Sequence, residues 1–160
     1  MEEFATADLL DQFPESEVIL PGLVAFGGKT TFFGRAETIK APEDNSFVRK
    51  TLETPGKDRV LVIDGGGSAL CALLGDQLAQ LAVENKWAGV IVYGYIRDSQ
   101  VIANIPIGVR ALGTTPRRSI KRDLGSIGEP VHFLGVTITS NSWLFIDSDG
   151  IVVSASNLLL

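Results

Sequence analysis

Two uninterrupted apolar runs, each about one strand long, constrain this chain more than any other feature. Val60-Leu61-Val62-Ile63 ends in Asp64 and three glycines, and Gly89-Val90-Ile91-Val92-Tyr93-Gly94 follows later. A run that is apolar at every residue, not at every second one, suits a strand covered on both faces, as in parallel sheets. Between the two, residues 68–86 carry Leu70, Leu73, Leu74, Leu78 and Leu81 at helical spacing. Residues 59–94 therefore read as strand, helix, strand. A second such unit covers 89–113, with a short helix over 97–104 and a strand over 107–113.

The flanks are more irregular. Residues 6–12 read as a short helix with Thr6 as its cap, an apolar side of Leu9, Leu10 and Phe13, and Pro14 as its stop. Residues 18–24 carry Pro21-Gly22, so they form at best a broken or edge strand. Residues 30–39 alternate partly, as a half-buried strand does. Pro42-Glu43-Asp44-Asn45 opens a helix with Phe47, Val48 and Leu52 on its apolar side, and Pro55-Gly56 is a turn. Residues 114–130 are a long polar segment. Strands are expected over 131–139 and 143–154, with hairpin turns at Asn141-Ser142 and Asp147–Gly150. The totals give a mixed α/β chain with a β-rich C-terminal part. Its 160 residues suit a single domain over 1–160.

Composition narrows the function classes. The chain is 45% hydrophobic with a net charge of -5, which argues against nucleic-acid binding through bulk electrostatics. No stretch reaches the roughly 20 apolar residues of a membrane span. Met1-Glu2-Glu3 is acidic where a secretory leader is basic. The single cysteine, Cys71, allows no internal disulfide and fits a reducing, cytoplasmic location. Among Leu70, Ala72 and Leu73 it reads as a buried thiol, not a nucleophile. The lone His132 reads as packing or surface. Trp87 and Trp143 read as core or interface anchors. Arg117, Arg118, Lys121 and Arg122 read as a solvated loop before an anion site or subunit contact.

The glycine run after Asp64 invites comparison with an S-adenosylmethionine or dinucleotide loop. Such folds place an acid at the end of the next strand, and here that strand ends Val92-Tyr93-Gly94. A tight strand-to-helix turn with Asp64 capping it is the preferred reading.

One constellation carries chemistry. Gly75 interrupts the helical stripe, so Asp76 reads as the N-cap of a second helix beginning at Gln77. The free amides of Gln77 and Leu78 then face an anion at the favourable end of the helix dipole. Past the next strand, with twenty residues between them and Asp76, stand Arg97 and Asp98. Arginine grips a carboxylate bidentately, and an adjacent carboxylate suits a hard cation such as magnesium. Spacing alone still favours a helix cap and a solvated surface pair.

These residues also carry a resemblance. Thr6-Ala7-Asp8-Leu9, Phe26-Gly27-Gly28, Glu43-Asp44-Asn45, Val62 through Ser68, Ala72 through Gly75, Trp87-Ala88-Gly89, Gly94 through Asp98 and Asp147 through Ile151 resemble the regulator of ribonuclease activity A family across nearly the whole chain. Its enzymatic members are class II aldolases acting on 4-hydroxy-4-methyl-2-oxoglutarate and 4-carboxy-4-hydroxy-2-oxoadipate. The resemblance implies a swivelling β/β/α domain, with a mixed central sheet or barrel flanked by helices. It implies a ring-shaped homotrimer with sites at subunit boundaries. It implies that the backbone of Gly75, Asp76, Gln77 and Leu78 and the side chain of Arg97 bind substrate, and that Asp98 binds a divalent cation, magnesium or manganese. The family's catalytic subgroup is marked by Asp, twenty residues and Arg-Asp, which Asp76, Arg97 and Asp98 match. Many relatives have an acid three residues after the metal-binding aspartate, where this chain has Val101.

The expectation is retro-aldol cleavage of a 4-hydroxy-2-oxo acid to pyruvate, with oxaloacetate decarboxylation as a second activity. Arg97 would stabilise the enolate, and Asp76 would act through a metal-bound water, either holding that water or moving a proton. A Schiff-base route is disfavoured because the lysines lie near turns or polar neighbours. The rival reading is a non-catalytic regulator that binds a ribonuclease or helicase partner. A third is a methyltransferase.

Overall fold

The computed structural model describes residues 3–160, so Met1 and Glu2 of the acidic start lie outside the described residues. The chain opens with α1 (Thr6–Gln12), two short strands β1 (Glu17–Val18) and β2 (Val24–Ala25), then β3 (Phe32–Lys40) and α2 (Ser46–Leu52). The middle comprises β4 (Val60–Asp64), β5 (Ala72–Leu74), α3 (Asp76–Glu84), β6 (Gly89–Ile96), α4 (Ser99–Ile102) and β7 (Gly108–Thr114). The last part is all strand: β8 (Ser126–Ile127), β9 (Val131–Phe133), β10 (Val136–Ile138), β11 (Trp143–Asp147) and β12 (Gly150–Ser154).

One mixed, curled sheet organises these elements in the order β1-β12-β11-β3-β4-β6-β7-β2. Its centre is parallel: β3 to β4, β4 to β6 and β6 to β7. Its flanks are antiparallel, with β11–β12 a hairpin on one side and β2 on the other. The broken segment before residue 25 thus supplies two edge strands, as Pro21-Gly22 requires.

The continuous apolar runs have a direct cause. Successive strand residues point to opposite faces. Leu61 and Ile63 pack with α2 and α3 through Val48, Leu52, Leu78 and Ala82. Val60 and Val62 pack on the other side with Val131, Phe133, Val136 and Ile138 of the separate β9–β10 hairpin. The four apolar residues of β4, Val60 to Ile63, are fully buried, each worth about 1.5–3 kcal/mol of apolar burial. A third, smaller cluster holds α1 against β11 and β12 through Leu9, Phe145 and Val152. Cys71 and Trp87 are buried, and the Trp87 Nε1–H donates to the Thr54 carbonyl at 3.2 Å.

Four expectations need correction. Residues 72–74 are a strand, not helix: after the turn that follows β4 the chain runs on in the same direction, and β5 pairs parallel to the end of β6, as β4 does to its earlier residues. Leu70, placed on the helical stripe, is 69% exposed, whereas Ala72, Leu73 and Leu74 are all buried. The glycine turn therefore joins strand to strand, with Gly66 and Gly67 at φ 66° and 74° and the Asp64 carboxylate accepting the Gly66 N–H at 2.9 Å. The N-cap of α3 is Gly75, and Asp76 is its first residue. Thr6 does not cap α1; Ala5 stands there, and Thr6 donates its N–H and hydroxyl to Asp147 at 2.8 and 2.6 Å. The strand expected over 131–139 is a hairpin, because Leu134 and Gly135 both take positive φ and turn the chain.

The polar segment after β7 is anchored by one fully buried acid. Asp44 accepts from the Ser46 N–H and hydroxyl at 2.8 and 2.5 Å, and from the Arg122 and Leu124 amides at 2.5 and 3.3 Å. Burial raises a carboxyl pKa, but here the Ser46 hydroxyl and the three amides outweigh it and hold Asp44 below the usual value. The stabilisation is therefore complete above the unfolded pKa of about 3.9 and is lost as pH falls through the lower folded value. Asp44→Asn is expected to cost about 1–3 kcal/mol near neutral pH. It should also lose less stability than the parent between about pH 5 and pH 2. Thermal melts across that range check this, and equal acid losses in both proteins would contradict it.

Candidate active site

The parallel strands end at one edge, and the loops after β3, β5, β6 and β7 gather there. In the β5–β6 pair Leu74 stands opposite Ile96, and the Arg97 N–H donates to the Leu74 carbonyl at 3.0 Å. The next residues on each side, Gly75-Asp76 and Arg97-Asp98, therefore lie together. The Asp76 N–H donates to Asp98 Oδ2 at 3.0 Å. The three side chains singled out by spacing, Asp76, Arg97 and Asp98, share one cavity of about 440 Å³ with Gly75, Gln77 and Leu78.

Local backbone geometry makes this close approach possible. Gly75 is extended at φ -128°, ψ -172°, a conformation open to any residue. What requires glycine is space: a Cβ there would lie 2.8 Å from Asp98 Oδ2. Asp98 takes the left-handed conformation at φ 59°, ψ 37°, which costs a non-glycine residue about 1–3 kcal/mol and tends to be retained at functional sites. The N-cap Gly75 offers no side chain to α3 and Asp98 takes the Asp76 amide, so the amides of Gln77 and Leu78, orphan donors of the first turn, remain for a ligand, with the positive end of the helix dipole behind them.

Residues outside the Asp-Arg-Asp pattern complete the cavity. Arg49, Arg118 and Lys121 join Arg97 in its lining, so four cations face the two carboxylates Asp76 and Asp98. In a chain of net charge -5 this is a local excess of positive charge suited to an anion with more than one acidic group. Asn45, only 9% exposed, donates its side-chain amide weakly to the Leu73 carbonyl at 3.4 Å. Its Oδ1 is buried with no partner, an orphan acceptor beside the cavity. The basic cluster expected to be plain solvated loop thus divides: Arg118 and Lys121 reach the site, while Arg122 contributes its backbone to the Asp44 anchor. Topology was the available signal, because loops after parallel strands collect at their C-terminal ends.

The donor set fits a hard cation. Asp98 offers one carboxylate, with Asp76 alongside, and among the described residues no group of three or more His, Cys, Asp or Glu gathers. A closed zinc-type cage is not built, whereas magnesium takes one or two carboxylates plus water and substrate oxygens. Cys71 stands apart from this chemistry, its thiol pushed up by burial and then by the charges of Glu43 and Asp44. His132 sits on the β9–β10 hairpin, where Nδ1 lies 2.8 Å from the Thr137 hydroxyl.

Comparison with known proteins places this arrangement. A family model described as RraA-like, Aldolase/RraA, matches residues 6–153. A protein of Laribacter hongkongensis named "Putative 4-hydroxy-4-methyl-2-oxoglutarate aldolase" is 50% identical over 158 residues, covering 98% of this chain and 99% of that protein. A solved structure described as the RNA-processing inhibitor RraA from Thermus thermophilis superposes with a TM-score of 0.94 at 42% identity, over 97% of this chain and 94% of that one. Another, described as an S-adenosylmethionine:2-dimethylmenaquinone methyltransferase from Geobacillus kaustophilus, gives a TM-score of 0.94 at 45% identity, over 98% of both chains. The curled mixed sheet, the Gly75–Asp98 edge and a family match over nearly every residue agree: the chain belongs to the RraA-like family.

Proposed function

We propose that this chain is a class II, metal-dependent aldolase that cleaves 4-hydroxy-4-methyl-2-oxoglutarate-type 4-hydroxy-2-oxo acids to pyruvate, with oxaloacetate decarboxylation as a second activity. The convergence of Arg97 and Asp98 with the start of α3 carries this reading. The names of relatives at 48–52% identity support it.

Each residue has a role that follows from its chemistry. The amides of Gln77 and Leu78 hold the 2-oxo acid's carboxylate at the helix start. Asp76 takes or relays the proton of the C4 hydroxyl as the C3–C4 bond breaks. The bonding pair moves toward C2, and negative charge collects on the keto oxygen. Arg97 meets that charge, more strongly in the transition state than in the ground state. Asp98 would hold a magnesium or manganese ion, which when bound supplies Lewis-acid polarisation of the same oxygens. Protonation at C3 completes pyruvate. Arg49, Arg118 and Lys121 at the cavity wall suit the remaining carboxylates of a polyacid. Oxaloacetate needs the same enolate with carbon dioxide as the leaving group.

We also infer a cytoplasmic homotrimer with sites at subunit boundaries. Leu70, Val101 and Ile120 are 69%, 52% and 65% exposed, and Ile120 lines the cavity itself. Apolar surface of this kind suits cover by a neighbouring copy. The rival reading, a non-catalytic regulator of a ribonuclease or helicase, draws on the description of the Thermus thermophilis neighbour but gives Asp98 no task. The methyltransferase reading draws on the Geobacillus kaustophilus neighbour. The Asp64 carboxylate it would use is engaged with the Gly66 amide, and calorimetry with S-adenosylmethionine tests it.

Pyruvate release from oxaloacetate should require added magnesium or manganese and stop with chelator; metal-independent or absent release would favour the regulator. Arg97→Ala is expected to lower kcat by about 100- to 1,000-fold, the usual cost of removing one oxyanion donor. Asp98→Asn should abolish metal stimulation, and unchanged metal dependence in that variant would remove Asp98 from the role. Gly75→Ala should lower kcat/KM by roughly tenfold or more through the contact with Asp98, while shifting Tm by only about a few degrees. Full activity in this variant would show that the close approach is not needed.

A further inference from the structure

A larger cavity, about 730 Å³, opens at the opposite end of the parallel strands, beside the starts of β3, β4 and β6. Phe32, Phe33, Trp87 and Trp143 line it together with Lys29, Arg35, Lys57 and Arg59. Asp58 is the one carboxylate in the lining. Arg59 is already satisfied: it pairs with Glu37 at 3.2 Å, donates to the Gly56 and Pro55 carbonyls at 3.0 and 3.2 Å, and lies 4.8 Å over the Trp87 ring. Lys29, Arg35 and Lys57 form no ion pair among the described residues. Three free cations thus gather beside aromatic surface in a chain of net charge -5. At the rim, Lys57 and Asp58 take positive φ in succession, 54° and 61°, a costly pair for residues other than glycine.

Arg35 and Trp143 stand opposite each other in the β3–β11 register, so a guanidinium and an indole leave the sheet side by side. Such a pair offers charge to an acidic group and a flat face to a ring. The cavity falls within the range of small-molecule sites. We propose that it binds a mononucleotide-type ligand, a planar ring carrying a phosphate, with the phosphate on Lys29, Arg35 and Lys57 and the ring against Trp143 and Phe33. This site is separate from the Asp76–Arg97–Asp98 edge and does not depend on what that edge catalyses.

The chain's two tryptophans both line this cavity, so intrinsic tryptophan fluorescence reports on it selectively. Adenosine 5′-monophosphate, adenosine and inorganic phosphate would be titrated separately into the full-length protein, with calorimetry in parallel. Saturable quenching by the nucleotide is expected, with adenosine and phosphate each roughly tenfold weaker or more. Arg35→Glu and Lys57→Glu should each weaken the nucleotide by about tenfold or more, with unchanged circular dichroism. Asp98→Asn should leave its affinity unaltered. No saturable signal up to about 10 mM nucleotide, equal binding of adenosine, indifference to both charge reversals, or binding only to single-stranded RNA would each overturn the proposal.

Discussion

Three residues of parallel strand decide where the candidate site of this protein is assembled. Pairing of Ala72–Leu74 with the end of β6 brings the start of α3 against Arg97-Asp98. Two short bonds fix the result, the Arg97 N–H to the Leu74 carbonyl and the Asp76 N–H to Asp98 Oδ2, both 3.0 Å. Without that strand, Asp76 would lie part-way along a connecting helix, away from the edge where the strands terminate. With it, a helix start, a guanidinium and a carboxylate share one wall, held by backbone and not by long flexible side chains.

The rest of the fold supports this edge. The central strands are buried on both faces, between helices on one side and a small hairpin on the other, so their ends form a rigid platform for the loops. The polar segment after β7 has little core of its own. It is tied down by the Asp44 carboxylate, by the Ala72 N–H donating to the Arg117 carbonyl at 2.7 Å, and by the Thr115 N–H donating to the Ile96 carbonyl at 2.9 Å. Those ties carry Arg118 and Lys121 to the cavity. Net charge hides this arrangement, because most of the acids lie elsewhere while cations outnumber carboxylates in the cavities at both ends of the parallel strands.

Much of this was legible in the residues. The runs 60–64 and 89–94 announced covered strands, and the glycine break at 75 located the start of α3 to within one residue. Asp76, Arg97 and Asp98 were identifiable by type and spacing, though spacing alone did not distinguish a site from surface pairs. Residues 72–74 were misread because adjacent leucines with further leucines at three- and four-residue intervals satisfy helical and buried-strand patterns alike. The 131–139 hairpin was missed because Leu134 has no ordinary preference for positive φ. Asn45 and Arg49 carry no sequence signal for the cavity, and Arg118 and Lys121 read as solvated loop before anion site, because their placement depends on long-range ties, above all the buried carboxylate of Asp44, that local sequence does not display.

Crystallography of the protein grown with manganese and pyruvate, using anomalous scattering to locate the metal, tests the central claim most directly. The account requires an anomalous peak bonded to the Asp98 carboxylate, with the pyruvate carboxylate on the amides at the start of α3 and its keto oxygen toward Arg97. Manganese bound away from Asp98, or pyruvate absent from this edge while Asp76, Arg97 and Asp98 remain together, would contradict it.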